Sequence, residues 1–377
     1  MAKTFFGHPR GLATLFFTEM FERFSYYGMR ALLIIFMTKA IAEGGMAIDK
    51  VNAGAIYGLY VMGVYILALP GGWLADRLFG LKKSVWYGGI IIALGHFTMA
   101  LPGLFNSMGM GDETQINQLD TVPFFLGLIL IAVGTGLLKP NISSIVGSLY
   151  PKEQSARRDA GFSIFYSGIN LGAFIAPLIT SPLGEQVNWH LGFGAAGLFM
   201  VFGLIQYKMT SNYLDGYGDE PVYSSEEEIA KRNSLIKWLK IIVTGVIILL
   251  ILAFAGIIPV DAVAVSNISG VLILAIVIAF LTYVVVAGDL DSSEKKKVYV
   301  IGIVFVFSAI FWSGFEQAGS TLNLFAANLT DRNIFGYEMA AGVLQSVNPM
   351  FIIIFAPFFG AMWIWLAKRN LEPNRQI

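Results

Sequence analysis

The chain has no cysteine, few histidines and few charged residues. Its 377 residues include 0 Cys and 3 His. Charged residues make up 13% of the chain, where a soluble protein carries about 25%. Without cysteine there is no disulfide framework, no thiolate nucleophile and no thiolate metal site. His8, His96 and His190 are too far apart in sequence for a local metal motif, and the formal net charge of +0 gives no reason to expect a nucleic-acid partner.

The composition is instead rich in apolar residues. The chain is 56% hydrophobic, and a membrane span needs about 20 such residues to cross about 30 Å of hydrocarbon. Apolar runs broken by Gly, Pro and charge predict ten spans, at residues 12–38, 52–75, 84–102, 121–149, 157–181, 190–211, 236–258, 266–287, 298–327 and 336–366. The sequence therefore predicts an all-α polytopic protein in a lipid bilayer.

The first span carries charges in a segment that is otherwise apolar. Its polar residues are separated by three, four, seven and eleven positions, which predicts one shared helical stripe. The stripe comprises Glu19, Glu22, Arg23, Tyr26, Tyr27 and Arg30. A charge in hydrocarbon costs several kcal/mol unless it is paired. We therefore expect this stripe to face a protein interior or a watery cavity.

The distribution of basic residues predicts the orientation of the spans. With the N-terminus in the cytoplasm, most of the 25 lysines and arginines fall on the cytoplasmic side. Only Lys39, Lys50 and Arg332 fall on the external side. The positive-inside rule thus favours this topology, in which both termini are cytoplasmic. The N-terminus runs into the first span without a cleavage signature, so we expect no cleaved leader. The polar stretch after residue 211 is then a cytoplasmic linker, in which Ser224 and Glu227 predict a capping box for a short amphipathic helix.

Depth along the helices predicts which intramembrane charges meet. At 1.5 Å per residue, Lys139 lies about 15 Å from the inner end of its span, level with Glu22 and Arg23. Arg30 and Glu316 each lie about 27 Å above the inner ends of their spans. We therefore expect one group of charges near the midplane and one pair in the outer half.

Five motifs in order resemble those of one transporter family. GGWLADRLFGLKKS at 71–84 resembles the cytoplasmic loop of the major facilitator superfamily. The segment from Glu19 to Gly28, the KPN at 139–141, FSIFYSGINLGAF at 162–174 and FWSGFEQAGSTLNLF at 311–325 are similar to those of the proton-dependent oligopeptide transporter (POT) family. The resemblance implies a major facilitator fold with a six-helix N-terminal bundle at 1–211, a cytoplasmic linker and two inserted helices at 212–297, and the first two spans of an incomplete C-terminal bundle at 298–377.

The resemblance also implies roles for individual residues. Proton coupling falls to Glu19, Glu22 and Arg23, with Lys139 as their basic partner and a holder of the peptide carboxylate. Arg30 and Glu316 would latch the external side, and Asp76 and Arg77 would form the conformational latch on the cytoplasmic side. Substrate contacts would come from Arg23, Tyr26, Tyr27, Tyr65, Lys139, Tyr166, Asn170, Trp312, Gln345 and Asn348.

The sequence departs from the family pattern at two points. The tenth core helix of the family supplies an acid opposite the lysine that matches Lys139, and this chain ends after the eighth. We therefore expect a fragment that does not transport by itself. The second span, 52–75, also lacks the histidine of some relatives, so proton coupling would rest on glutamates.

The resemblance implies proton-coupled symport of di- and tripeptides into the cell by alternating access, in the bacterial inner membrane and without a cofactor other than protons. A non-transporting peptide sensor, or a major facilitator symporter for another small polar substrate, is the alternative. An intramembrane hydrolase would need a base beside a serine, or an aspartate pair, and no histidine lies among the intramembrane charges.

Overall fold

The structure, a computed structural model, describes residues 4–110, 115–214, 216–369 and 371 of the chain. Nine helical segments in this part are long and apolar enough to cross a membrane. A tenth long helix, α1 (Gly11–Thr38), differs from them because Glu19, Glu22, Arg23 and Arg30 interrupt its apolar sequence. The expected all-α polytopic class is confirmed. The predicted position of the two termini concerns residues 1–3 and 372–377, which lie outside the described residues.

The spans after α1 in the first 211 residues consist of six helices. They are α2 (Lys50–Ile66), α3 (Ala68–Leu74), α4 (Leu81–Ser107), α5 (Gln118–Ser148), α6 (Ser155–Pro182) and α7 (Trp189–Thr210). The first two belong to one span, Lys50–Phe79, which is interrupted at Leu67 and ends in a π-helical turn, Ala75–Phe79. Pro70 lies just beyond the interruption and has no N–H to donate back along the helix, which explains the break.

Helix α1 lies at the centre of this bundle and packs against α6 and α7. Its apolar residues enter two separate buried clusters. Leu12 and Leu15 belong to one, and the run from Met29 to Met37 belongs largely to the other. The charged residues from Glu19 to Arg23 lie between the two clusters, so the apolar core holds the polar segment of α1 in place from both ends.

Glycines bring α4 and α5 into close contact. A Cβ atom added to Gly134 would lie 2.6 Å from the carbonyl oxygen of Gly88, and one added to Gly127 would lie 2.6 Å from that of Gly95. No side chain fits at either crossing. These glycines therefore allow the two backbones to touch, which is how small residues promote helix association in membranes.

The linker and the inserted helices differ from the sequence prediction in one detail. Helix α8 (Glu226–Phe254) runs without a break from the linker into the membrane, and α9 (Ala262–Ala287) follows it. The capping box is formed by Ser225 and Glu228, one residue later than predicted. The short separate amphipathic helix was therefore a wrong prediction, because the charged residues of 226–232 form the first turns of the membrane helix.

The remaining described chain contains three helices, one two-stranded hairpin and two 3₁₀ turns. Helix α10 (Ser292–Phe315) is followed by a 3₁₀ turn (Glu316–Gly319), α11 (Thr321–Leu329), a hairpin of β1 (Asn333–Ile334) and β2 (Tyr337–Glu338), a second 3₁₀ turn (Ala341–Ser346) and α12 (Val347–Ala367). The predicted span 298–327 is therefore broken after Phe315. The predicted start of the last span at 336 was too early, since residues 337–338 are paired in the hairpin.

Candidate functional site

Three charged side chains of α1 form a buried cluster near the middle of the helix. The Nε atom of Arg23 lies 3.1 Å from Oε1 of Glu19 and also donates to Oε2 of Glu22. One oxygen of each carboxylate and Nη2 of Arg23 are buried without a hydrogen-bond partner among the described residues. Two carboxylates therefore share one guanidinium, an arrangement with spare capacity to accept a proton.

Lys139 of α5 lines the same cavity as Glu19 and Arg23. Its Nζ atom lies 4.5 Å from the centre of the Tyr65 ring, within cation–π range. In the described part of the chain Lys139 makes no ion pair within 4 Å, so its charge is directed toward the cavity and an aromatic face rather than toward a carboxylate.

A second cluster lies near the outer end of the molecule, which we define as the end where α1 and α6 finish and α7 begins. Nη2 of Arg30 lies 3.3 Å from Oε2 of Glu316, the contact expected from their equal depth. Nε of Arg30 donates to the hydroxyl of Tyr57 at 2.9 Å. Sequence reasoning missed Tyr57, although Tyr57 and Tyr60 form a pair spaced three residues apart on the buried side of α2.

A cavity of about 700 Å³ connects the two clusters. Its wall includes Glu19, Arg23, Arg30 and Glu316 and most of the residues predicted to contact substrate. These are Tyr27, Tyr65, Lys139, Tyr166, Asn170, Trp312, Gln345 and Asn348. Sequence reasoning missed the apolar part of the wall, which includes Ile169, Leu322 and Phe325. Polar and apolar surfaces together suit a short amphipathic ligand.

The predicted single stripe on α1 is in fact two stripes. Glu19, Arg23, Tyr27 and Arg30 line the cavity, but Glu22 and Tyr26 do not. Glu22 is 0% exposed and Tyr26 4%, with the Tyr26 ring 6.4 Å from that of Tyr60 on α2. Positions three residues apart on a helix differ by about 60° in direction, which is enough to turn these two side chains away from the cavity. Tyr26 therefore does not line the cavity in this conformation, and its contact with a substrate stays a prediction.

The segment between α3 and α4 is held by contacts that the sequence analysis did not predict. Asp76 and Arg77 are exposed and make no ion pair among the described residues. Lys82 instead pairs with Asp219 of the linker at 2.8 Å, and Lys83 pairs with Glu220. The linker therefore lies across the start of α4, where its two acids pair with Lys82 and Lys83.

Comparisons with known proteins agree with this arrangement. The family model described as PTR2, POT family, matches residues 82–377. Peptide transporter YePEPT of Yersinia enterocolitica is 40% identical over 375 residues, covering 99% of this chain and 70% of that protein. A di-/tripeptide transporter of Lactococcus lactis is 37% identical over 378 residues, covering 98% of this chain and 72% of that protein. A crystal structure of a POT family transporter in complex with a thioalcohol-conjugated peptide has a TM-score of 0.82 and 36% identity, covering 98% of this chain and 72% of that one.

Membrane helices packed around a charged, partly apolar cavity define a multi-pass membrane transporter of the major facilitator type. The chain belongs to the POT family, which confirms the resemblance seen in its motifs. Members of this family transport peptides, use protons as the coupling ion and are not enzymes. The expected class of function is thereby confirmed.

Proposed function

We propose that this protein moves di- and tripeptides together with protons across the bacterial inner membrane, through alternating access to the cavity. The observation that supports this best is one cavity of about 700 Å³ whose wall contains cations, carboxylates, amides and apolar side chains. A short peptide is a zwitterion with a polar backbone and variable side chains. Both signs of charge, amide groups and an apolar region are the features that bind such a molecule.

We assign the peptide carboxylate to Arg23 and Lys139. Lys139 has no carboxylate partner within 4 Å among the described residues, so its charge is available for a ligand. Asn170, Gln345 and Asn348 lie in the same wall and would meet the peptide backbone through their amides. The similar protein solved with a conjugated peptide supports a peptide in this cavity.

We assign proton coupling to Glu19 and Glu22. Each has a buried oxygen without a hydrogen-bond partner in the described part of the chain, and both share Arg23 as their cation. Protonation of either carboxylate would loosen the hold on Arg23 and free its charge for the peptide. Proton binding and substrate binding would then be linked through one guanidinium.

Arg30 and Glu316 would act as a gate at the outer end, since the pair joins α1 to the segment after α10. Closed there, the cavity is accessible only from the other side. Asp76 and Arg77 would latch the cytoplasmic side in another conformation.

We divide the chain into an N-terminal bundle (1–211), a linker with inserted helices (212–297) and the start of the second bundle (298–377), with the termini in the cytoplasm.

The test is uptake of labelled dialanine into proteoliposomes that contain the full-length parent expected above, with and without an imposed pH gradient. We expect an inward-directed proton gradient to drive accumulation above equilibrium. A membrane potential of 100 mV supplies about 2.3 kcal/mol per proton, enough for roughly 50-fold accumulation of a neutral peptide. Uptake that ignores the gradient would contradict proton symport, and binding without any uptake would favour a sensor.

A further inference from the structure

The carboxylate of Glu185 joins the two parts of the protein at the outer end. Glu185 lies in a π-helical turn, Leu183–Val187, that follows α6. Its Oε2 accepts a hydrogen bond of 2.8 Å from the backbone N–H of Ala341, and its Oε1 accepts one of 2.8 Å from that of Gly342. Both donors belong to the turn that leads into α12. Two charge-assisted hydrogen bonds to one side chain thus join segments that lie more than 150 positions apart in the sequence.

Tight packing surrounds this contact on both sides. A Cβ atom on Gly342 would lie 2.3 Å from Oγ of Ser181, which allows no side chain at that position. On the other side, a Cβ atom on Gly184 would meet the side chain of Leu32 of α1 at 2.5 Å. The turn that carries Glu185 is therefore fixed to the N-terminal bundle. Its carboxylate holds the turn before α12 against that bundle.

Neighbouring contacts at the outer end join the same two parts. The side-chain amide of Asn323 donates to the carbonyl oxygen of Ala31 at 2.8 Å, and Gln186 donates to that of Glu338 at 2.8 Å. A peptide that enters the cavity from the outer side must pass between these segments. Every contact across them therefore has to break before the outer end opens.

We propose that Glu185 is a second outer-gate residue, which stabilises the outer-closed conformation by holding the amides of Ala341 and Gly342. The inference rests on the proposed alternating access but concerns a different residue and a different bond from the Arg30 and Glu316 pair. A carboxylate suits this task, because it accepts both bonds at once and leaves no unpaired donor. In a glutamine amide only one of the two terminal atoms accepts hydrogen bonds, and the NH₂ group in place of the other oxygen would face a backbone N–H donor.

The test measures how often the outer end opens in the reconstituted transporter. Because the chain has 0 Cys, Ser181→Cys introduces one buried thiol beneath Gly342. A membrane-impermeant maleimide added from the outer side should react with it only when the outer end opens. With Glu185→Gln, we expect the reaction rate to rise about tenfold or more, because at least one bond to a charged acceptor is lost.

Two comparisons make the result decisive. Glu43→Gln removes the same charge at the outer end from a side chain whose ion pair, in the described ranges, is the local one with Lys39, and it should leave the rate unchanged. Ser163→Cys places a second thiol on the exposed side of α6, one turn before Tyr166. When Glu185→Gln is added, this thiol should react more slowly with maleimide supplied from the inner side. General destabilisation would instead raise the reactivity of both thiols, and that result would overturn the proposal.

Glu316→Gln separates this inference from the proposed function. If Glu316→Gln raises the outer labelling rate and Glu185→Gln does not, the role of Glu185 is refuted while alternating access stands. If neither substitution changes the rate, gating at this end is itself refuted. If Glu185→Gln alone raises it, Glu185 and not the ion pair holds the outer end closed.

Discussion

The ion pair of Arg30 and Glu316 yields the sharpest prediction. Its atoms lie 3.3 Å apart, and two unit charges at that distance attract by about 5 kcal/mol at an effective dielectric of 20. Desolvation offsets part of this attraction. The Arg30 side chain is 4% exposed and that of Glu316 is 22% exposed, so the loss of Glu316 leaves a nearly buried guanidinium without its carboxylate. We expect Glu316→Gln to weaken outer closure by about 3 kcal/mol, the lower end of the range for breaking a buried pair.

That loss corresponds to a shift of about 100-fold or more toward the outer-open state. The assay combines dialanine uptake with the outer thiol labelling described above, at matched protein levels. Arg30→Glu and Glu316→Arg should each abolish gradient-driven uptake, and the two together should recover more uptake than either alone. A double variant no more active than the single ones would refute a direct pairing of the two charges.

Three further predictions follow from other contacts. In the full-length parent, Glu22→Gln should abolish gradient-driven uptake yet retain counterflow of preloaded peptide, and retained concentrative uptake would remove Glu22 from coupling. Tyr57→Phe deletes the acceptor of the Arg30 N–H and should raise outer labelling by about tenfold, while Tyr87→Phe, at an exposed tyrosine of α4, should not change it. Gly134→Ala should lower the melting temperature in detergent, because its Cβ would lie 2.6 Å from a backbone oxygen and overpacking costs about 1 to 3 kcal/mol. Gly245→Ala in α8, with open space around it, should leave the melting temperature unchanged.

The sequence by itself determined the class of the protein and the approximate position of its spans. Both follow from local properties, because hydrocarbon requires long apolar helices and penalises each intramembrane charge. Depth along a helix is also a local property at 1.5 Å per residue. For this reason the meeting of Arg30 with Glu316 could be predicted without knowing how the helices pack.

Only the tertiary structure decided which way side chains point and what they touch. Periodicity placed Glu22 and Tyr26 on the same stripe as Arg23, but the position of α2 determines which side of α1 borders the cavity. The contacts of Tyr57 with Arg30, of Glu185 with Gly342 and of the linker acids with the start of α4 join residues far apart along the chain. Such contacts depend on where the backbone places two distant segments, and no short-range pattern in the sequence encodes that placement.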